Sequence, residues 1–95
     1  MICVYAIAKV KPGLAQAFEE TGSRLVNASR AEAANISYTL CRALEGENVY
    51  TFIEQWKDAA GLEAHLSTPQ FIAAGVELES LLTCPLEIHK LESVD

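Results

Sequence analysis

Two runs of this chain, "ICVYAIAKV" near the start and "VYTFIEQW" in the middle, read as β-strands that are apolar on both faces. The first offers Ile2, Val4, Ala6 and Ala8 on one side and Cys3, Tyr5 and Ile7 on the other; the second offers Val49 and Ile53 against Tyr50, Phe52 and Trp56. A sheet covered by helices on one face alternates apolar and polar residues, because its open face meets water. These strands do not alternate, so both faces need cover. A chain of 95 residues can bury one modest core, and its helices suffice for only one face. The second cover is expected to be the sheet of another copy, giving a two-fold homodimer with a barrel-like core between the sheets.

The remaining segments set the order of elements. After the first strand, about Met1 to Lys11, comes "KPG", where Pro12 suits the first turn of a helix because its missing N–H is not needed there. From Leu14 onward Ala17, Phe18, Thr21, Leu25 and Ala28 recur at steps of three and four, the stripe of a helix facing a core. "ISYTLCRAL" and "VYTFIEQW" are joined by "EGEN", whose Gly and Asn favour a tight turn, so the pair is expected to be a hairpin. Asp58 can cap a short helix from about Ala59 to Leu66. Thr68 followed by Pro69 repeats the signal for a second helix to about Leu82, with Phe71, Ala74, Gly75, Leu78 and Leu82 as its stripe. "LEIHKLE" closes the chain as a last strand. The order is β-α-β-β-α-β with the second helix split, an α+β ferredoxin-like unit, and residues 1–95 are expected to form one domain.

Charge and cysteine usage exclude several partner classes. A net charge of −6 with only seven Lys or Arg, scattered singly, repels phosphate backbones and anionic lipid, so neither nucleic acid nor a membrane surface is expected as a partner. "ICVYAIAKV" is too short to span a bilayer and lacks a basic segment before it. Cys3, Cys41 and Cys84 are odd in number and widely spaced in apolar segments, which fits buried thiols in a reducing cytoplasm better than a disulfide framework. With two His and no CxxC a metal site has few ligands to draw on, and no glycine-rich phosphate loop occurs, so no metal or other cofactor is expected.

Three residues have side chains suited to a site. Trp56 shares a strand face with Phe52 and Tyr50, where its indole could line a flat aromatic pocket and donate one hydrogen bond, or simply pack under the helices. His65 follows Leu62 by three residues on the short helix, partly inward; it could act as a general base or tie the helix end to the Thr68 turn, and no partner that would tune it stands out in the sequence. Tyr38, on a face with Ile36 and Leu40, could reach a pocket or the dimer seam, or be a satisfied core tyrosine. His89 is expected at the surface or barrel rim, and Asn35 in a turn. A hydrolytic pairing of Ser37 with His65 lacks an elbow motif and an orienting acid.

"IEQW", then "LEAHLSTPQF" and later "LESLLTCPLEIHKL", with "KPG" after the first strand and "ISY" in the second, resemble the antibiotic biosynthesis monooxygenase domain family. Within it the nearest likeness is to small bacterial quinol-monooxygenase-like proteins. The resemblance implies a dimer with a pocket between helices and sheet in each subunit. The haem-degrading branch uses a pocket Asn, a Trp and an iron-ligating His, which fall at about Ile7, His65 and Gly75 and do not match. The polyketide-oxidising branch places an Asn four residues before the strand-three Trp, where this chain has Phe52.

Cofactor-free oxygenation needs an apolar cavity, a base and hydrogen-bond donors, with electrons supplied by the substrate itself. The expected function is a cytoplasmic monooxygenase oxidising small quinols or phenols with dioxygen. His65 is the candidate catalytic base, and Trp56, Tyr38 and Phe52 are candidate contacts for a planar aromatic substrate of one or two rings. Two alternatives stand beside it: an isomerase of a small phosphorylated sugar derivative, for which Arg42 is the only strand-interior cation, and a non-catalytic ligand-binding dimeric module.

Overall fold

The first strand hands over to the first helix through a turn. In the computed structural model, which describes residues 1–95, β1 (Ile2–Lys9) is followed by a hydrogen bond of 3.1 Å from the Leu14 N–H to the Lys11 carbonyl. Gly13 has a φ of 83°. Pro12 and Gly13 therefore fill the two central positions of a type II turn, the second of which requires positive φ. Pro12 lies ahead of α1 (Ala15–Arg30) rather than in its first turn, the place expected from sequence.

Helix α1 buries Phe18, Thr21, Gly22, Leu25, Val26 and Ser29, while Ala17 is exposed. The buried stripe is thus rotated from the expected one toward Gly22. A Cβ at Gly22 would stand 2.7 Å from Cδ2 of Leu40, so the helix lies closer to the sheet there than any other residue would allow without rearrangement.

Strands β2 (Asn35–Arg42) and β3 (Val49–Trp56) form the expected hairpin, with Gly46 and Asn48 at φ values of 93° and 60° in its loop. β1 pairs with β3 and with β4 (Glu87–Glu92), giving an antiparallel sheet in the order β2-β3-β1-β4. A bulge between Asn35 and Ser37 takes Ile36 out of register and leaves it half exposed, away from the face it was expected to share with Tyr38. Asn35 starts β2, and its amide donates to the Ser37 and Gln55 carbonyls.

The split helix forms as its caps dictate. Asp58 accepts from the Gly61 N–H at 2.7 Å to start α2 (Ala59–Leu66). Thr68 accepts from the Phe71 N–H at 3.3 Å to start α3 (Pro69–Ser80), with Pro69 at its first position. The fold is α+β and ferredoxin-like, with all three helices on one face of the sheet. No helix is long and apolar enough to cross a membrane.

The covered face carries Val4, Ala6, Ala8, Tyr38, Tyr50, Phe52, Glu54 and Trp56, all buried. On the other face Ile53 and Leu91 keep 47% and 50% of their surface exposed, and Tyr5 stacks on His89 with ring centroids 4.5 Å apart. Cys3 and Cys41 lie half-buried on that open face, and Cys84 is exposed. The thiols are therefore not the buried set expected from their apolar neighbours in sequence: alternation along a strand turns Cys3 and Cys41 away from the helices.

Candidate active site

Strand register places an acid in the middle of the covered face. Tyr38 pairs with Glu54, Glu54 with Val4, and Val4 with Lys90, so these side chains form one row across the sheet beneath the helices. Glu54 keeps 6% of its surface, although a buried carboxylate is costly unless it is hydrogen-bonded. Its Oε1 accepts from the Trp56 indole N–H at 3.0 Å. Burial raises the Glu54 carboxyl above its ordinary pKa of 4.5, against the opposing pull of the Trp56 hydrogen bond and the neighbouring His65. Burial, followed by the Glu54 charge, pushes the Tyr38 phenol well above its ordinary range, so Tyr38 stays a neutral hydroxyl.

Helix α2 lowers His65 onto this row. The imidazole is 1% exposed and packs against three aromatic rings: Trp56 at 4.5 Å, Phe71 at 4.8 Å and Tyr38 at 5.6 Å between centroids. Its Nδ1 lies 2.9 Å from Oε2 of Glu32, in the link between α1 and β2, while its Nε2 is buried with no hydrogen-bond partner. A carboxylate that accepts Nδ1–H holds the ring in the tautomer whose Nε2 carries a lone pair, leaving that nitrogen free to take a proton. The Thr68 turn is tied to α2 through the His65 backbone, since the Thr68 hydroxyl donates to the His65 carbonyl at 2.8 Å.

Between helices and sheet lies a cavity of about 140 Å³, lined mostly by apolar side chains. Tyr38, Phe52, Glu54, His65, Phe71 and Gly75 are on its wall. Of the residues singled out from sequence, Tyr38, Phe52 and His65 come together there. Trp56 does not reach the wall; it is fully buried behind His65, edge-on to Tyr38, because Glu54 holds its N–H. Glu54 and Glu32 escaped the sequence reading. Glu54 sits at an inward position between Phe52 and Trp56, so its place in the alternation was the available signal. Glu32 lies between elements, and no periodicity marks it.

Other candidates fall elsewhere. Ser37 donates to the Gln55 side chain at 2.8 Å and is absent from the wall that His65 lines. Arg42 is exposed and paired with Glu19 at 2.7 Å. Of the positions used for haem in related folds, Gly75 and His65 line the cavity, whereas Ile7 occupies the open face of the sheet.

Similar proteins agree with this architecture. The family described as antibiotic biosynthesis monooxygenase (ABM) matches residues 1–75. Over 92 residues, 97% of each chain, the sequence is 35% identical to "Putative monooxygenase YcnE" of Bacillus subtilis. Among solved structures, PA3566 of Pseudomonas aeruginosa matches with a TM-score of 0.89 at 33% identity, covering 99% of this chain and 94% of that one. A conserved protein of Methanosarcina mazei matches with a TM-score of 0.94 at 28% identity, covering 97% and 91%. A family match over most of the chain and a relative of this identity along nearly its whole length lead to one conclusion: the chain belongs to the antibiotic biosynthesis monooxygenase family.

Proposed function

We propose that the protein is a cofactor-independent monooxygenase that oxidises small quinols or related phenols with dioxygen, and that His65 is its general base. The observation that carries this reading is the buried imidazole with Nδ1 on Glu32 and an unpartnered Nε2, set in the wall of an apolar cavity. Family membership supports the reaction class.

In this reading Nε2 takes the proton of a substrate hydroxyl, and Glu32 stabilises the imidazolium that results. The phenolate passes one electron to dioxygen, and the radical pair recombines to form a carbon–oxygen bond at a ring C–H carbon. Loss of the ring proton and cleavage of the O–O bond then release water. In balance, quinol plus dioxygen gives hydroxyquinone plus water: the substrate supplies all four electrons, two on becoming a quinone and two on exchanging C–H for C–OH. The apolar wall keeps the radical pair dry, and Tyr38 and Glu54 are placed to hold a second substrate oxygen. Phe52 packs against the ring, and Trp56 positions Glu54 and His65 from behind.

Residues 1–95 act as one unit in this reading, and the chain works as a cytoplasmic homodimer whose open sheet faces pack together into an α+β barrel. The exposed Ile53 and Leu91 and the half-buried Tyr5 support that assembly. The phosphorylated-sugar isomerase finds less support, because Arg42 is engaged by Glu19 outside the cavity and the cavity wall carries a single Lys or Arg, Lys90, together with the Glu54 carboxyl. The test is oxygen uptake with reduced benzoquinones and naphthoquinones under chelation with no flavin added, using isotopically labelled dioxygen. One labelled atom should appear in the product ring and one in water. A wild-type protein that oxidises none of them leaves the non-catalytic binding module in place of the enzyme.

A further inference from the structure

The cavity is the size of one aromatic ring. Apolar protein cavities of about 150 Å³ take up benzene, and this one measures about 140 Å³. Any substrate larger than a single ring has to extend beyond it.

Three surface depressions share residues with the cavity; one, between α1 and α3, does so through Leu25 alone, and the other two differ in character. One, joined through Leu62 and Lys90, is rimmed by Glu63, Lys90 and Glu92. The other, of about 270 Å³ between α3 and β4, shares Gly75, Leu86 and Ile88 with the cavity and adds Leu82, Pro85 and a single charged residue, Glu79. Ile88 keeps half of its surface exposed there, though its register partner is Ala6 of the covered face. At the junction stands Gly75, where a Cβ would meet no atom within 4 Å. A side chain at that helical position would project into open space between the cavity and the groove. Its absence leaves the passage open.

We infer that the substrate is a single-ring quinol or phenol bearing an uncharged apolar side chain, and that the chain leaves the cavity over Gly75 to lie in the groove formed by Leu86, Ile88, Leu82 and Pro85. Gly75 is then a specificity-determining residue. This rests on the reading of the cavity as an aromatic-ring site. The groove excludes an anionic tail, because its only charge is the Glu79 carboxylate, and it rewards an apolar one by removing Ile88 and Leu86 from water.

Binding measures this without turnover. Trp56 is the only tryptophan, fully buried and packed at a tilt against His65, which lines the cavity, so its fluorescence reports occupancy through that contact and is shielded from collisional quenching. 4-Methylphenol and 4-pentylphenol, which do not react with the free thiols, are titrated anaerobically against wild type, Gly75→Ala and Gly75→Leu. Wild type should bind the pentyl compound at least tenfold more tightly than the methyl compound. Gly75→Leu should bring the ratio of the two affinities to about one, and Gly75→Ala should retain most of the preference. Equal affinities in wild type, or a preference that survives Gly75→Leu, would overturn the tail assignment while the ring site stands. Failure of both compounds to bind folded wild type would remove the ring site itself, and the tail with it.

Discussion

Nδ1 of His65 and Oε2 of Glu32 stand 2.9 Å apart although 33 residues separate them in the chain. One belongs to α2 and the other to the link between α1 and β2, so neither helix alone positions the imidazole. The Lys57 N–H donates to the Ala34 carbonyl at 2.9 Å, which fastens the start of the α2 segment to that link and fixes the distance between the two side chains.

If this pair is a base and its orienting acid, the two residues differ in what their loss does. His65→Ala is expected to lower quinol turnover by roughly a hundredfold or more, the scale of losing a positioned general base. Glu32→Gln keeps the shape but no longer holds the charge, and is expected to lower kcat by about tenfold to a hundredfold, the range seen when a group orienting a histidine is removed. Steady-state rates and thermal unfolding on the same preparations separate catalysis from folding. Unchanged turnover per folded molecule in His65→Ala would leave the imidazole a purely structural role.

Glu54 gives a pH dependence of known sign. Its carboxyl is raised above 4.5 in the folded chain, so the folded state holds that proton more tightly than the unfolded state. The stability this contributes is complete below 4.5 and is lost as pH climbs through the raised value. Glu54→Gln, neutral at every pH and still able to accept from Trp56, should therefore unfold at a higher temperature than wild type at neutral pH, with the gap closing in acid. Trp56→Phe removes a donor that favours the charged carboxylate and should move the loss of stability to higher pH. Tm measured between pH 4 and pH 8 checks both; a Glu54→Gln protein less stable than wild type at neutral pH contradicts the direction.

The open sheet face predicts assembly. Ile53→Glu places a charge at a half-exposed position remote from the cavity, so the monomer should remain folded while the dimer dissociates. Sedimentation at micromolar concentration should find two chains for wild type and one for the variant. A compact wild-type monomer contradicts the proposal.

Thr68 joins the two short helices, accepting from Phe71 and donating to the His65 carbonyl. Thr68→Ala should cost about 1 kcal/mol in urea unfolding, the usual loss for a helix cap. Because His65 and Phe71 both line the cavity, ligand affinity should weaken as well. A stability loss with unchanged affinity would show that the cap only starts α3.

Most of the fold was legible because its signals are local. Asp58 and Thr68-Pro69 announce their helices within four residues, and the lack of apolar–polar alternation in β1 and β3 announces two apolar faces. The position of Pro12 was misjudged because Pro suits both a helix start and a turn, and only the φ of Gly13 decides between them. The site was half legible. His65, Tyr38 and Phe52 could be named from residue type and face, whereas Glu32 enters only through a contact that no local pattern encodes. For Trp56 the strand face was legible and the depth was not: lining a pocket and packing under the helices both fitted the sequence, and the choice depends on Glu54 and on the helix above it.

Strand β4 contributes Ile88 and Lys90 to the cavity wall, with Leu86 just before it, and β4 pairs only with β1 at the opposite end of the chain. During synthesis from the first residue onward, the β2–β3 hairpin and α1 can form long before that wall exists. The ring-sized cavity is therefore completed only when β4 arrives, after the costliest loop closure in the fold. A growing or truncated chain lacking β4 would expose the helix-facing apolar surface at the β1 edge, so a ligand that fits the cavity should favour chains that carry β4 over those that lack it.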